Sequence, residues 1–447
     1  MATEYYLLQQ IEALMSDPAN WDNAYARETD PLKRLECLTR HYNGHLRQRA
    51  VLCLGSMKAG EALPAIIRRA NDWVSQVRDA ARQSIRQFMV PQGARWLVEC
   101  LPEFGKLLSS HRDDHALLLE EIHRFLVRPE NNAVLMEGLN SAKPDVARLV
   151  LGLMLEQQLF TVDVIFERTQ GHKNPSVRLI ATRAWLGQSG RRNEQDLLTL
   201  LKDRYAPVRQ VALAVVMDEN ADVPVTMLLT LLHDNNELVR KRAAKVLTER
   251  GHSPVAHSLA VFNDATQNLS RRCVALRALD EQKYEDVLAL ALDCLKSDST
   301  ALYKTALDIA VDHLQENARE LLLEAMSYPA YSVAKRACRQ YAKRKFFLTL
   351  EEILRSQAAA PSAEHLGLYL PLSARLGLWE GLQFMLMQAG NAEREPMRQA
   401  LAKWTTRLNR FYTEPTAHQK TALRALLIQH PDVGLRDKNY LMQVLSA

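Results

Sequence analysis

The stretch HDNNELVRKRAAKVLTERG, from His233 to Gly251, joins a polar break to an apolar stripe. Val239, Ala243 and Leu247 lie at i, i+4 and i+8, which places them on one face of an α-helix. The Asp and two Asn residues before the stripe are typical of a turn between two helices. The segment therefore predicts the second helix of a helix–turn–helix unit, with Arg240 beside its apolar face.

The same pattern recurs along the chain as an apolar residue followed by an anchor, which is usually arginine. The anchors are Arg47, Arg78, Ala147, Arg178, Arg209, Arg240, Arg272, Tyr303 and Ala334. From 147 onward the steps are 31, 31, 31, 32, 31 and 31 residues, and one register over nine units predicts a repeat array. The gap of 69 residues between 78 and 147 leaves room for a further unit, which we expect around Arg112.

Each unit cannot bury its apolar stripe alone and must stack on its neighbours. The segment LLTLLKDRYAPVRQVALAVV, Leu197–Val216, resembles the short HEAT repeat, and the resemblance covers most of residues 41–350. It implies an all-α fold, a right-handed α-solenoid of HEAT-like helix pairs with helical N- and C-terminal caps. It also implies a ladder of turn aspartates and helix arginines between successive units, formed by Asp72 and Arg78, Asp203 and Arg209, and Asp234 and Arg240.

The position six residues before the anchor differs in the other units, where we expect the ladder to be interrupted. It holds Ser141, His172, Thr266, Ser297 or Tyr328. One residue type at one register is what repeated packing requires, so we interpret Arg240 as part of the frame rather than as a contact to a partner. A recurring Asp–Arg pair would also satisfy backbone groups of the turn.

Three segments are predicted from the extent of the repeat. Residues 1–40 form an N-terminal helical cap, residues 41–357 form the array, and residues 358–447 form a C-terminal helical cap or subdomain. The boundary at 358 rests on AAAPSAE, Ala358–Glu364, which is typical of a linker, and on the loss of the repeat beyond it.

Composition limits the class of protein. Apolar residues make up 47% of 447 residues, which argues against disorder, and no apolar run is long enough to span a membrane. The six cysteines, including Cys37 and Cys338, form no C-x-x-C pair, so we expect reduced, packed thiols and a cytoplasmic location.

No catalytic motif is present, so we expect no enzyme, no cofactor and no metal. The chain lacks a P-loop, G-x-G-x-x-G, G-x-S-x-G and H-E-x-x-H, and no histidine precedes a glutamate as in di-iron hydroxylases with helical repeats. His111 and His115 have a spacing that would suit a metal, but a solvated helix face is favoured. Trp185 falls on the core stripe, which favours packing over a role in base binding.

Basic residues on the second helices are the remaining functional signal. In solenoids of this class these helices line the concave side, and the first and fifth positions after each anchor should lie beside the buried stripe. Basic residues there are candidates for partner binding: Arg148, Arg183, Lys241, Lys245, Arg277, Lys304, Lys335 and Arg339, with Lys343 one turn further on.

The stripe leaves several functions open. The leading hypothesis is a scaffold that binds a protein partner, of acidic character, in the groove. Nucleic-acid binding through phosphates is a second hypothesis, and a lyase or glycosylase on a solenoid is a third. The structural alternative is a solvated face on which Lys and Arg stems cover apolar surface.

Overall fold

The computed structural model describes residues 2–188, 194–359, 363–390, 394–408, 413–430 and 438–446. Every regular element among these residues is helical. The predicted all-α class and the helix-pair solenoid are therefore confirmed. The predicted linker at 358–364 lies partly outside the described residues.

The chain forms two compact units, residues 1–221 and 222–447. The predicted boundaries at 40 and 357 follow the repeat rather than compactness and stay predictions. The α-helices of the first unit are α1 Ala2–Met15, α2 Asn23–Arg27, α3 Pro31–Leu38, α4 Gly44–Ser56, α5 Leu63–Arg69, α6 Ser75–Arg86, α7 Ala94–Glu99, α8 Leu101–Leu108, α9 Ala116–Leu126, α10 Asn132–Leu139, α11 Pro144–Glu156, α12 Val162–Thr169, α13 Pro175–Leu186, α14 Glu194–Leu201 and α15 Ala206–Asp218.

The second unit continues the helix pairs and ends in a helical segment outside the repeat. Its α-helices are α16 Val225–Leu231, α17 Glu237–Glu249, α18 Pro254–Asn263, α19 Leu269–Glu281, α20 Val287–Cys294, α21 Thr300–Leu314, α22 Arg319–Met326, α23 Tyr331–Arg344, α24 Leu350–Ala359, α25 Ala363–Tyr369, α26 Leu378–Met387, α27 Arg394–Leu408, α28 Ala417–Gln429 and α29 Lys438–Ser446. Short 3-10 helices at Pro18–Asn20, Gly60–Ala62, Pro91–Gly93, Pro129–Asn131, Gln315–Ala318 and Leu370–Arg375 connect several of the helices.

The helices form where their sequence predicts them. In α15 proline occupies the first turn, where its missing N–H costs nothing, and Val208, Ala212 and Val216 are buried four residues apart. The same three positions of α17, Val239, Ala243 and Leu247, are also buried. The predicted stripe therefore faces the core, and its central alanine leaves room for the neighbouring helix.

The core consists of these stripes packed against one another. In the first unit one apolar cluster extends from Leu7 to Ala181. The second unit contains a cluster from Val261 to Ala310 and another from Tyr303 to Leu445, which includes the C-terminal helices. Stacking therefore buries what no single pair could bury alone.

The segments outside the regular repeat differ in detail from the sequence prediction. The predicted N-terminal cap contains three helices, α1, α2 and α3, of which α2 has only five residues. The unit predicted around Arg112 does not use that residue as an anchor, because Arg112 lies in the loop before α9, which begins at Ala116. In the predicted C-terminal segment a 3-10 helix that includes Pro371 separates α25 from α26.

The described helices were compared with the length and apolar character that a bilayer requires. None of them is long and apolar enough to cross a membrane.

Candidate functional site

Five of the six anchor arginines hold the turn of their own unit, whereas Arg272 donates from Nε to Phe262 O at 2.8 Å. In those five, Nη1 donates a hydrogen bond to the backbone carbonyl six residues earlier, in the turn that follows the preceding helix. The Nη1–O distances are 2.8 Å for Arg47, 3.0 Å for Arg78, 2.6 Å for Arg178, 2.6 Å for Arg209 and 2.7 Å for Arg240. Five units thus repeat one bond that satisfies a backbone carbonyl of the turn.

The rest of the guanidinium reaches the next unit. Arg47 donates from Nε to Asp72 Oδ2 at 3.0 Å and from Nη2 to Oδ1 at 2.8 Å, and both side chains are 0% exposed. Arg178 binds Asp203 in the same bidentate way, with both distances 2.8 Å. The carboxylate therefore pairs with the arginine 25 residues before it, not with the one six residues after it. Two of the predicted ladder aspartates, Asp72 and Asp203, are thus bound across the junction between units.

These aspartates also hold their own turns. Asp72 Oδ1 accepts the N–H of Val74 at 3.0 Å, and Asp203 Oδ1 accepts the N–H of Tyr205 at 2.7 Å. Burial alone would raise the pKa of Asp72, but the hydrogen bonds from Arg47 and Val74 and the nearby arginine charges outweigh it and lower the pKa. Burial opposes the same shift at Asp203, and Arg178 with the Tyr205 N–H lowers its pKa.

Two anchor arginines, Arg78 and Arg240, bind carboxylates that the repeat register does not predict. Arg78 Nε donates to Asp113 Oδ2 at 2.9 Å, because the extra helices after residue 94 displace the next turn. Arg240 Nε donates to Glu281 Oε2 at 2.9 Å, since the register position holds Thr266, which cannot supply a charge. Arg240 is thus part of the frame, as predicted from its register. Asp113 and Glu281 carry no signal in the repeat that could have identified them.

Histidine takes the place of aspartate in two units. His172 Nδ1 accepts the N–H of Asn174 at 3.0 Å, so its Nε2 carries the proton that is shared with Leu139 O at 2.9 Å. His41 makes the same pair of contacts, to the N–H of Asn43 and to Asn20 O. In the turn at His172 no ion pair forms but the turn is still held, which corrects the expectation of a simple interruption.

The residue 25 positions before His172 explains why histidine stands there instead of aspartate. That anchor is Ala147, which has no charge to offer, and a neutral imidazole needs none. An aspartate at 172 would be partly buried without a cation, which is unfavourable. The identities of positions 147 and 172 are therefore consistent with each other, and this signal was available in the sequence.

The predicted basic residues of the first unit are exposed. Arg148 binds Asp145 across one helical turn at 3.1 Å, and Arg183 lies on the exposed face of α13. In the second unit Lys241 binds Glu237 at 2.5 Å and Lys245 lies 3.8 Å from Glu249. These three ion pairs are local and exposed, so each contributes little to stability.

The remaining predicted residues lie on α19, α21 and α23, which pack in succession. Arg277 Nη2 is 3.2 Å from Thr305 Oγ1, and Lys304 is half-buried on α21. Lys335, Arg339 and Lys343 are exposed at four-residue intervals along α23 and form no ion pair with any described residue. Arg148, Lys241 and Lys245 thus have a local acid, and Arg183 in the first unit forms no ion pair with a described residue. We define the basic stripe as the predicted cations of the second unit that form no ion pair with a described residue: Arg277, Lys304, Lys335, Arg339 and Lys343.

Two acids of α21, Asp308 and Asp312, are bound by other arginines of α23. Arg336 Nε donates to Asp308 Oδ1 at 2.7 Å, and Arg344 Nη2 lies 2.5 Å from Asp312 Oδ1. Gln340 also donates to Asp308, at 2.8 Å. One side of α23 therefore binds α21 through ion pairs, and the stripe keeps its charge.

Trp185, Trp379 and Trp404 are buried, whereas Trp73 is exposed. Trp185 stacks on Phe166 with ring centroids 4.3 Å apart, which confirms the predicted core role. Trp379 and Trp404 are buried in the C-terminal helices, edge to face at 6.0 Å. Trp73 is 63% exposed at a turn, with the Arg47 guanidinium 4.2 Å above its ring.

The two histidines considered as metal ligands occupy a loop. His111 is exposed, whereas His115 is only 2% exposed and directly precedes α9, without a side-chain hydrogen bond to the start of that helix. The prediction of a solvated helix face is therefore wrong for His115, because the loop folds back onto Arg78 and Arg82. Among the described residues no group of three or more His, Cys, Asp or Glu side chains is placed to hold a metal ion.

Comparisons with known proteins add little to this geometry. No family model matches the chain, and no curated protein matches it. Among solved structures, the X-ray structure of YibA of Escherichia coli is 18% identical and covers 64% of this chain and 94% of its own, with a TM-score of 0.24. Human deoxyhypusine hydroxylase in complex with glycerol is 20% identical and covers 58% of this chain and 99% of its own, with a TM-score of 0.19.

A third similar structure is an engineered protein. It is 14% identical and covers 94% of this chain and 98% of its own, with a TM-score of 0.19. These TM-scores are too low to support any argument about function. The helices and their packing therefore carry the assignment of the chain as an all-α protein of stacked helix pairs.

Proposed function

We propose that this chain is a non-enzymatic interaction scaffold of the HEAT-like kind, which binds an acidic segment of a protein partner in the cytoplasm. The observation that carries the proposal is the trio Lys335, Arg339 and Lys343. These cations are exposed on one face of α23 and have no carboxylate partner in the described part of the chain. Side chains four residues apart on a helix are neighbours, so the three charges act on the same ligand.

The basic stripe extends beyond one helix. Arg277 on α19 and Lys304 on α21 belong to the helices that precede α23 in the stack. An extended acidic segment crossing these helices would meet a cation on each of them. Such a surface attracts a polyanionic chain over many weak contacts and speeds its association.

A solvated face accounts less well for this distribution of charge. Soluble surfaces usually intersperse both signs, and α21 does contribute Asp308 and Asp312. Both aspartates are bound by Arg336 and Arg344, so they do not offset the stripe. The Lys335 ammonium lies 5.5 Å from the Tyr331 ring centre, where it stays available to solvent.

The test measures binding of a fluorescent polyglutamate peptide by anisotropy. The variant Lys335→Glu, Arg339→Glu, Lys343→Glu should weaken binding by more than about tenfold, because each reversal replaces attraction with repulsion. A matched control reverses three exposed arginines outside the stripe, Arg124, Arg355 and Arg398, and changes net charge equally. Circular dichroism checks that both variants keep their helicity.

Two results would contradict the proposal. Equal losses in both variants would mean that net charge alone attracts the peptide. Binding of a single-stranded oligonucleotide that is much tighter than the peptide, salt-dependent and lost in the α23 variant would assign the stripe to nucleic acid instead.

A further inference from the structure

A cleft in the first unit lies where the ladder lacks its arginine. It lies between the turn that leads into α11 and the turn that leads into α13, and it has a volume of about 710 Å³. Ser141 and His172 line it, and these are the two positions that an arginine at anchor 147 would bridge by register. In their place, His172 bonds Leu139 O and Asn174 Nδ2 donates to Pro144 O at 3.1 Å.

The lining of the cleft is positively charged. Arg168 and Lys173 both line it, both are exposed, and neither forms an ion pair with a described residue. None of the described lining residues is acidic. Two carboxylates lie beside lining residues and already have partners: Glu99 accepts from Ser141 Oγ at 3.2 Å and binds Lys143 at 3.1 Å, and Asp145 in the first turn of α11 binds Arg148 at 3.1 Å.

Two helices begin at the cleft. Pro144 is the first residue of α11 and Pro175 is the first residue of α13, and both line it. Helix N-termini carry partial positive charge and favour anions. The start of α11 also has no side-chain cap, because Lys143 occupies the cap position. These dipoles reinforce the charges of Arg168 and Lys173.

We propose that this cleft binds a small molecule through a phosphate group held by Arg168 and Lys173. The planar guanidinium matches the oxygens of a phosphate in bidentate fashion, and the lysine adds a point charge. The volume falls within the range of small-molecule sites, which leaves room for the rest of the ligand. This site lies in the first unit and does not depend on the basic stripe of the second.

The experiment uses the full chain with inorganic phosphate and phenyl phosphate as probes, followed by equilibrium dialysis. Arg168→Gln with Lys173→Gln should raise the dissociation constant by more than about tenfold, since both charge-assisted contacts are lost. A second variant, Ala147→Arg with His172→Asp, introduces an arginine–aspartate pair like that of Arg47 and Asp72. Its arginine side chain should fill the cleft and so prevent phosphate binding. The control Arg183→Gln removes an exposed cation of α13 that does not line the cleft, and should change the constant less than twofold, by about the measurement error.

The two double variants change the cleft differently, so one of them still tests the site if the other does not fold. If the introduced pair prevents folding, which thermal unfolding would reveal, the exposed Arg168 and Lys173 substitutions still test the site. Saturable binding that is lost in these variants and kept in Arg183→Gln supports the proposal. Absence of saturable binding by the unaltered chain, or binding that survives both variants, overturns it.

Discussion

Arg47 and Asp72, 25 residues apart in the chain, form a bidentate ion pair in which neither side chain is exposed. The same arginine donates Nη1 to both His41 O and Tyr42 O, and the same aspartate also binds Arg69 at 3.0 Å. The buried carboxylate therefore faces two arginines, and Arg47, the fully buried one, has hydrogen-bond partners at Nε, Nη1 and Nη2. Such a pair fixes the register between two units, because removing one partner leaves the other charge unpaired.

We expect Asp72→Ala to lower the free energy of unfolding of the first unit by about 3–5 kcal/mol, since Arg47 would remain buried without its partner. Urea denaturation followed by circular dichroism measures this. The control Asp145→Ala breaks the exposed pair with Arg148 and should cost less than about 1 kcal/mol. Similar costs for the two variants would contradict a special role for the buried pair.

The same pairs make stability depend on pH. The pKa values of Asp72 and Asp203 are lowered below the ordinary 3.8, so both carboxylates favour folding when ionised. Their contribution is fully present above about pH 4 and is lost as pH falls through the lowered values. Unfolding measured from pH 6 to pH 2 should show this loss, and Asp72→Asn should reduce its slope. An unchanged slope in that variant would count against the assignment.

A different pH dependence is expected in the second unit. Burial, followed by the charges of His257, Arg271 and Arg240, lowers the pKa of His233 from 6.5 to about 4. Folding disfavours its protonated form, so stability should fall as pH drops from about 6.5 to 4, by on the order of 2–3 kcal/mol. His233→Gln should remove most of this dependence. A direct NMR titration with a midpoint near 6.5 would contradict it.

The cysteines should differ in reactivity. Cys37 is partly exposed, whereas Cys53, Cys100, Cys273, Cys294 and Cys338 are buried. Burial raises the pKa of Cys53 to about 11 and that of Cys100 and Cys338 to about 12, which suppresses the reactive thiolate. A thiol reagent at neutral pH should label Cys37 first and the others only after unfolding. Fast labelling of the Cys37→Ser variant would show that the core opens.

The repeat register predicted the helices well, because the spacing of apolar residues within one unit depends only on the geometry of its own helix. Val239, Ala243 and Leu247 must share one helix face for any unit to stack, and they do so in the structure. The anchor Arg240 was likewise interpreted correctly as frame, since repeated packing needs one residue type at one place. Positions such as Trp185 followed from the same stripe.

The register did not predict which carboxylate of a neighbouring unit each anchor arginine binds. Asp72 stands six residues before Arg78 but pairs with Arg47, because a turn aspartate faces the helix of the preceding unit. Asp113 and Glu281 replaced the expected carboxylates where the spacing or residue type changed. His115 became buried for a similar reason, since a loop can fold back in a way that helical spacing does not describe.

The sequence by itself determined the all-α class, the unit length and the buried face of each helix, because these depend on periodicity within about 31 residues. Tertiary structure alone decided which carboxylate each anchor arginine binds. Arg47 and Arg240 occupy equivalent positions in the repeat, yet Arg47 binds Asp72 and Arg240 binds Glu281. Glu281 lies 41 residues from Arg240 in the chain, and the packing of α17 against α19, which the register does not describe, brings the two side chains together.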